Sequence, residues 1–280
     1  MKKHLSFLVF ATFLLVFVGC KENDLITYPN NNFPTDSVVV PFTPIDTKII
    51  LKLIEEINLA NRNVFLFCYT EQTYSPSGSK IVSNITQVDD TFKIEFQELD
   101  ISTIGAAIFV PATVNFDLNT LQQGTHFLDF KINSKKVTGL ITVTDESFNL
   151  KIQPNNIILF YKDTLYKIPE TIIWGQAESI DPVPYQLFLD SLVILGAQQH
   201  NLKPGDYYYF EVYSQGGYNT HSALGMAHGE YFLHNFGGDT LITRNLVKRF
   251  AKRYLDSIYI KLSGGRGENY YSTILKNEPW

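Results

Sequence analysis

His221, His228 and His234 fall within fourteen residues, with Glu230 among them. Imidazoles and carboxylates are zinc ligands wherever a fold brings them together. Spacings of seven and six residues match no helix-face pair such as His-Glu-x-x-His. The three histidines are therefore a candidate metal set only if loops converge, and they read equally as solvent-facing or capping residues. Tyrosine offers a second chemistry. Over residues 206–213, strand alternation places Tyr207, Tyr209, Glu211 and Tyr213 on one face and Tyr208, Phe210 and Val212 on the other. Further on, Ile258, Ile260 and Leu262 alternate with Tyr259 and Lys261 in the same way. Tyrosine rings stack on the apolar faces of sugars while their hydroxyls bond at the edge. Tyr207, Tyr209, Tyr213 and Tyr259 are thus the candidate ligand-binding residues, unless the same rings pack against a neighbouring domain.

Other groups point less directly to chemistry. Residues 263–269 are glycine-rich and follow a strand, but a phosphate loop should open a helix, and Tyr270-Tyr271-Ser272-Thr273 is β-prone. A hairpin or open loop is expected there. Arg244, Lys248, Arg249, Lys252 and Arg253 crowd one predicted helix and read as its solvated face. No Gly-x-Ser-x-Gly elbow occurs, and Asp89-Asp90 sits in a turn. No catalytic residue is assigned and no cofactor is implied; the balance is against an enzyme.

The elements that must position these residues begin with an export signal. Lys2 and Lys3 precede an apolar run over residues 5–18, which ends in Phe17-Val18-Gly19-Cys20. That run is about 14 residues, short of the roughly 20 needed to span a bilayer. Its last four residues resemble the lipobox of bacterial lipoproteins: an apolar residue, a spacer, a small residue, then cysteine. The resemblance implies cleavage after residue 19 and a diacylglyceryl group on Cys20. Lys21 is not the aspartate of an inner-membrane retention signal, and Glu22 with Asp24 resembles a tag for the outer face of the outer membrane. The expected partners are the membrane, through that lipid, and a glycan or protein ligand.

With Lys2 and Lys3 removed, 21 basic residues stand against 28 acidic ones, a net charge of −7. Nucleic acid needs a concentrated basic face, so it is excluded as a partner. Cys68 has no cysteine partner and reads as a buried small hydrophobe. Pro29, Pro34, Pro41 and Pro44 make residues 20–45 an extended tether. Many short alternating strands then predict a β-sandwich over 46–162. Within it, Pro111-Ala112-Thr113, a strand, a Gly turn and another strand resemble the Ig-like modules of bacterial surface lipoproteins over about 50 residues. Residues 166–280 read as β-α-β-β-α-β, the order of a ferredoxin-like domain, with one strand over residues 206–214. The function expected is a non-enzymatic surface binding or adhesion module. Its rivals are a hydrolase with a site at the domain junction and a subunit of a surface assembly.

Overall fold

In a computed structural model, residues 43–279 are described, apart from 104 and 120. The signal over residues 1–19, the lipidation position Cys20 and nearly all of the tether lie outside the described residues. Alternation sets the first half of the described chain. In β1 (Ile49–Ile57), Ile49, Leu51 and Leu53 are buried while Ile50 and Lys52 between them are less so, because successive side chains leave opposite faces. Nine more strands follow: β2 (Arg62–Tyr74), β3 (Lys80–Val88), β4 (Thr91–Asp100), β5 (Val110–Asp117), β6 (Gly124–Ile132), β7 (Lys135–Val143), β8 (Ser147–Ile152), β9 (Ile158–Phe160) and β10 (Thr164–Tyr166). Ser83, Asn84, Thr86 and Gln87 leave β3 without a clean apolar period along the chain. One apolar cluster takes inward residues from every strand from β1 to β10, among them Leu51, Leu66, Cys68, Ile94, Phe96 and Phe130. The sheet thus wraps around its own inner face, as large twisted sheets must. Cys68 is fully buried, and burial raises its thiol well above the ordinary range.

The remaining strands are β11 (Ile172–Ser179), β12 (Gln198–Gln199), β13 (Gly205–Asp206), β14 (Phe210–Val212), β15 (Tyr218–Thr220), β16 (His228–Asn235), β17 (Ile258–Gly264) and β18 (Asn269–Tyr271). Three helices accompany them: α1 (Pro182–Ile194), α2 (Thr240–Tyr254) and the short α3 (Ser272–Leu275). The fold is mostly β, in two large sheets. A five-stranded sheet runs β12-β16-β11-β17-β18. One of its faces carries α1, through Phe188, Leu189 and Leu192, and α2, through Leu246, Val247 and Phe250. Asp239 caps α2 by accepting from the Leu241 amide at 2.8 Å. The basic residues of α2 are only partly free surface, since Arg244 and Lys248 both pair with Glu278.

The strand expected over residues 206–214 does not form as a straight strand, nor does it join this sheet. It is a hairpin of β13 and β14 that continues into β15, and these three extend the first sheet through pairing of β13 with β10. The place between β16 and the edge goes instead to the two-residue β12. A third apolar cluster (Ile57, Ile168, Ile172, Trp174, Tyr207, Phe210, Val212 and Leu233) lies where the two sheets meet. Glu55 sits beside this seam on the inward row of β1, with Arg62 Nε at 3.7 Å. Burial raises its carboxyl, and the Arg62 guanidinium opposes the rise.

Candidate functional site

β11 is buried along its whole length, so both of its faces are covered. Ile173 and Ala177 meet the helices. The opposite face runs Ile172, Trp174, Gln176, Glu178, passing from the apolar seam to polar groups. Antiparallel pairing extends this face across two more strands. Trp174 lies opposite Ser263 of β17, which lies opposite Asn269 of β18. The next row is Gln176, Lys261 and Tyr271. Rows two residues apart along a strand are separated by roughly 6.5–7 Å. The result is a grid of amides, hydroxyls, rings and an ammonium on the face away from the helices.

That grid forms one wall of a cavity of about 580 Å³. The opposing wall comes from the first sheet and the loop after β15: Lys52 of β1, Tyr208, Tyr209, Thr220, His221 and Ser222. Tyr208 and Tyr209 occupy the two-residue turn between β13 and β14, where the Tyr207 amide donates to the Phe210 carbonyl at 2.9 Å. Such a hairpin requires a positive φ at its first central residue, and Tyr208 takes φ 64°. For a bulky side chain that conformation is strained, by roughly 1–3 kcal/mol, and strain of this kind collects at ligand sites. Aromatic packing holds the turn in place. The Tyr208 ring meets Tyr209 at 4.8 Å, Tyr209 meets Trp174 at 5.2 Å, and Trp174 meets Phe210 at 5.6 Å. Lys52 Nζ stands over the Tyr208 ring at 5.3 Å and over Tyr161 at 5.1 Å.

No family model matches the chain, and neither a curated protein nor a solved structure matches it. The site is therefore read from its own geometry.

Glu178 organises the cavity's rim. Its Oε2 accepts from the backbone amides of Gly225 at 2.5 Å and Met226 at 2.7 Å, and its Oε1 accepts from Gln176 Nε2 at 2.6 Å. The carboxylate thereby anchors the loop that carries His221 and Ser222, and it fixes which way the Gln176 amide points. Across the grid, Ser263 Oγ donates to Asn269 Oδ1 at 2.6 Å.

The tyrosines expected in one row are dispersed, because the turn at Tyr208 breaks the alternation. Tyr207 is buried at the seam, its ring stacked on Phe210 at 5.2 Å and Tyr166 at 5.3 Å, and its hydroxyl donates to the Lys203 carbonyl at 3.0 Å. Burial pushes it up to about 12. Tyr209 does line the cavity, with its hydroxyl accepting from the Ile57 amide at 3.1 Å. Tyr213 is exposed beyond β14. Tyr259 is half-buried one row past the cavity, paired across from Glu178.

The three histidines do not come together. His228 and His234 stand near opposite ends of β16, about 20 Å apart at strand rise, and His221 lies on the cavity rim. Among the described residues no group of three His, Cys, Asp or Glu is placed to hold a metal ion. Burial lowers the His234 imidazole, keeping it neutral near pH 7.

The glycine-rich stretch is a hairpin rather than a phosphate loop. A Cβ on Gly267, at φ 91°, would sit 2.1 Å from the Asn58 carbonyl carbon, so the glycine permits close packing on the β1–β2 turn. Sequence reasoning passed over Trp174, Gln176, Ser263, Asn269 and Tyr271 as ligand groups. It did place Lys261 on the face away from Ile258, Ile260 and Leu262, which is the signal that could have led to the grid.

Proposed function

We propose that this chain is a lipid-anchored cell-envelope protein whose body binds a glycan without transforming it. The observation that carries the reading is the cavity, whose walls combine the aromatic side chains of Trp174, Tyr208, Tyr209 and Tyr271 with the amides of Gln176 and Asn269 and the hydroxyls of Ser222 and Ser263. Ring faces take the C–H faces of a sugar, and amides with hydroxyls take its equatorial hydroxyls. Half-buried Tyr271 and exposed Asn269 are the groups to change, because neither belongs to a core cluster. Tyr271→Ala should weaken oligosaccharide binding about tenfold, measured by titration calorimetry, and leave the melting temperature within a few degrees. A parent that binds no oligosaccharide, or a variant that binds as well as the parent, would refute the reading.

The anchor rests on the apolar run and the Gly19-Cys20 junction. Outer-membrane placement, facing the cell surface, rests on Glu22 and Asp24. Cys20→Ala should abolish incorporation of labelled fatty acid and move the protein out of the detergent phase; continued labelling would remove the lipoprotein assignment. For the fold, the order β11-α1-β12-β16-α2-β17 within the second sheet, interrupted by β13 to β15 that join the first, with both helices on one face, supports reading that part as ferredoxin-like. The shared inward core of β1 to β10 supports an Ig-like β-sandwich before it.

A further inference from the structure

We infer that the glycan is acidic, a sugar bearing a carboxylate that sits between Lys52 and Lys261. The inference rests on the glycan reading above and adds the chemical class of the ligand. Charge carries it. The protein is acidic overall, at −5 with 28 Asp and Glu, yet neither residue type lines this cavity. Two ammonium groups do, Lys52 from the first sheet and Lys261 from the second. Six lysines among the described residues pair with carboxylates: Lys48, Lys131, Lys162, Lys203, Lys248 and Lys276. Lys52 stands over two tyrosine rings and Lys261 sits opposite Gln176 and Tyr271; like Lys80, Lys93, Lys135, Lys136 and Lys151 they have no salt bridge among the described residues, but these two face a cavity that no carboxylate lines.

Glu178, on the same face of β11, accepts from Gln176 and from the amides of Gly225 and Met226, and it forms no salt bridge with Lys261. Thr220 adds a buried hydroxyl without a hydrogen-bond partner at the same wall. An anion lying between two cations that face one cavity from separate sheets is attracted by both. A carboxylate held by both is a charge-assisted pair, the stronger kind of hydrogen bond, and the neighbouring rings then take the sugar's C–H face.

The test uses the full-length protein and three acidic oligosaccharides: an oligogalacturonate, an oligoglucuronate and a sialylated chain. Each is compared with its carboxyl-reduced, neutral counterpart by titration calorimetry. The expected result is at least about tenfold tighter binding of one acidic form over its neutral counterpart, with the difference shrinking as salt rises. Lys52→Ala with Lys261→Ala should erase that preference, so that the variant binds the acidic form no more tightly than it binds the neutral counterpart. Lys52→Arg with Lys261→Arg should restore most of it, which separates charge from packing. Equal binding of acidic and neutral forms would overturn the inference and leave the glycan reading standing. Failure of all six oligosaccharides to bind would overturn both, as would binding of polyglutamate in their place.

Discussion

Phe210→Ala should lower the melting temperature by roughly 6–20 °C in a single cooperative transition. Phe210 is fully buried, with Trp174 at 5.6 Å and Tyr207 at 5.2 Å. Phe→Ala in a core costs about 3–5 kcal/mol, since the lost transfer energy is compounded by a cavity that the neighbours only partly fill. For a unit of this size each kcal/mol moves the transition by about 2–4 °C. Location gives the result its meaning. The cluster around Phe210 draws Ile57 and Val212 from the first sheet and Ile172, Trp174 and Leu233 from the second. The described residues 43–279 also form one compact unit. Loosening the seam should therefore destabilise both sheets together and slacken the cavity wall through Trp174. Phe127→Ala is the control: that side chain is 53% exposed, and its loss should change stability by no more than about 0.5 kcal/mol. Differential scanning calorimetry decides the matter. A loss below about 1 kcal/mol, or two separate transitions of which only one shifts, would contradict the account of a shared seam.

Glu178→Ala should cost about 3 kcal/mol and free the loop over residues 221–227. The side chain is 1% exposed and serves three donors, two of them backbone amides. Removing an acceptor strands each buried donor at about 1–3 kcal/mol, and the loop amides recover part of that from water once they open. Gln is only a partial rescue: its carbonyl oxygen can accept both loop amides, but its nitrogen then faces the Gln176 amide, which must flip to accept. Hydrogen exchange supplies the sharper readout, with protection at Gly225 and Met226 lost in the variant while the strands of β6 and β7 keep theirs. Since His221 and Ser222 ride on that loop, ligand affinity should fall as well. Unchanged exchange at Gly225 and Met226 would mean that the loop is held by something other than this carboxylate.

Much of this molecule is legible along the chain. Alternation at period two places Phe92, Ile94 and Phe96 on the inward side of β4, because a strand's side chains leave opposite faces whatever it pairs with. The four-residue repeat of Leu246 and Phe250 in α2, and Asp239 at its start, are equally local. Such features depend on neighbours three or four residues away, and those are written in order. The Gly19-Cys20 junction and the charge balance likewise need no tertiary structure to be read.

The site belongs to the other category. Period-two logic predicts one tyrosine row over residues 206–213, but it assumes an unbroken strand. Nothing adjacent in sequence announces that Tyr208 takes a left-handed turn, where glycine is the usual residue; the packing of Tyr209 on Trp174 and of Tyr207 on Phe210 holds it there. Inter-strand register is equally invisible. That Trp174 shares a row with Ser263 and Asn269, and Gln176 with Lys261 and Tyr271, follows from how β11 aligns with β17 some 90 residues away, with β18 added by a short hairpin. A one-residue slip would send every one of these side chains to the helix face. The pairing that prevents the slip is made by long-range burial, so the cavity and its two unpaired lysines exist only once the sheets have closed on each other.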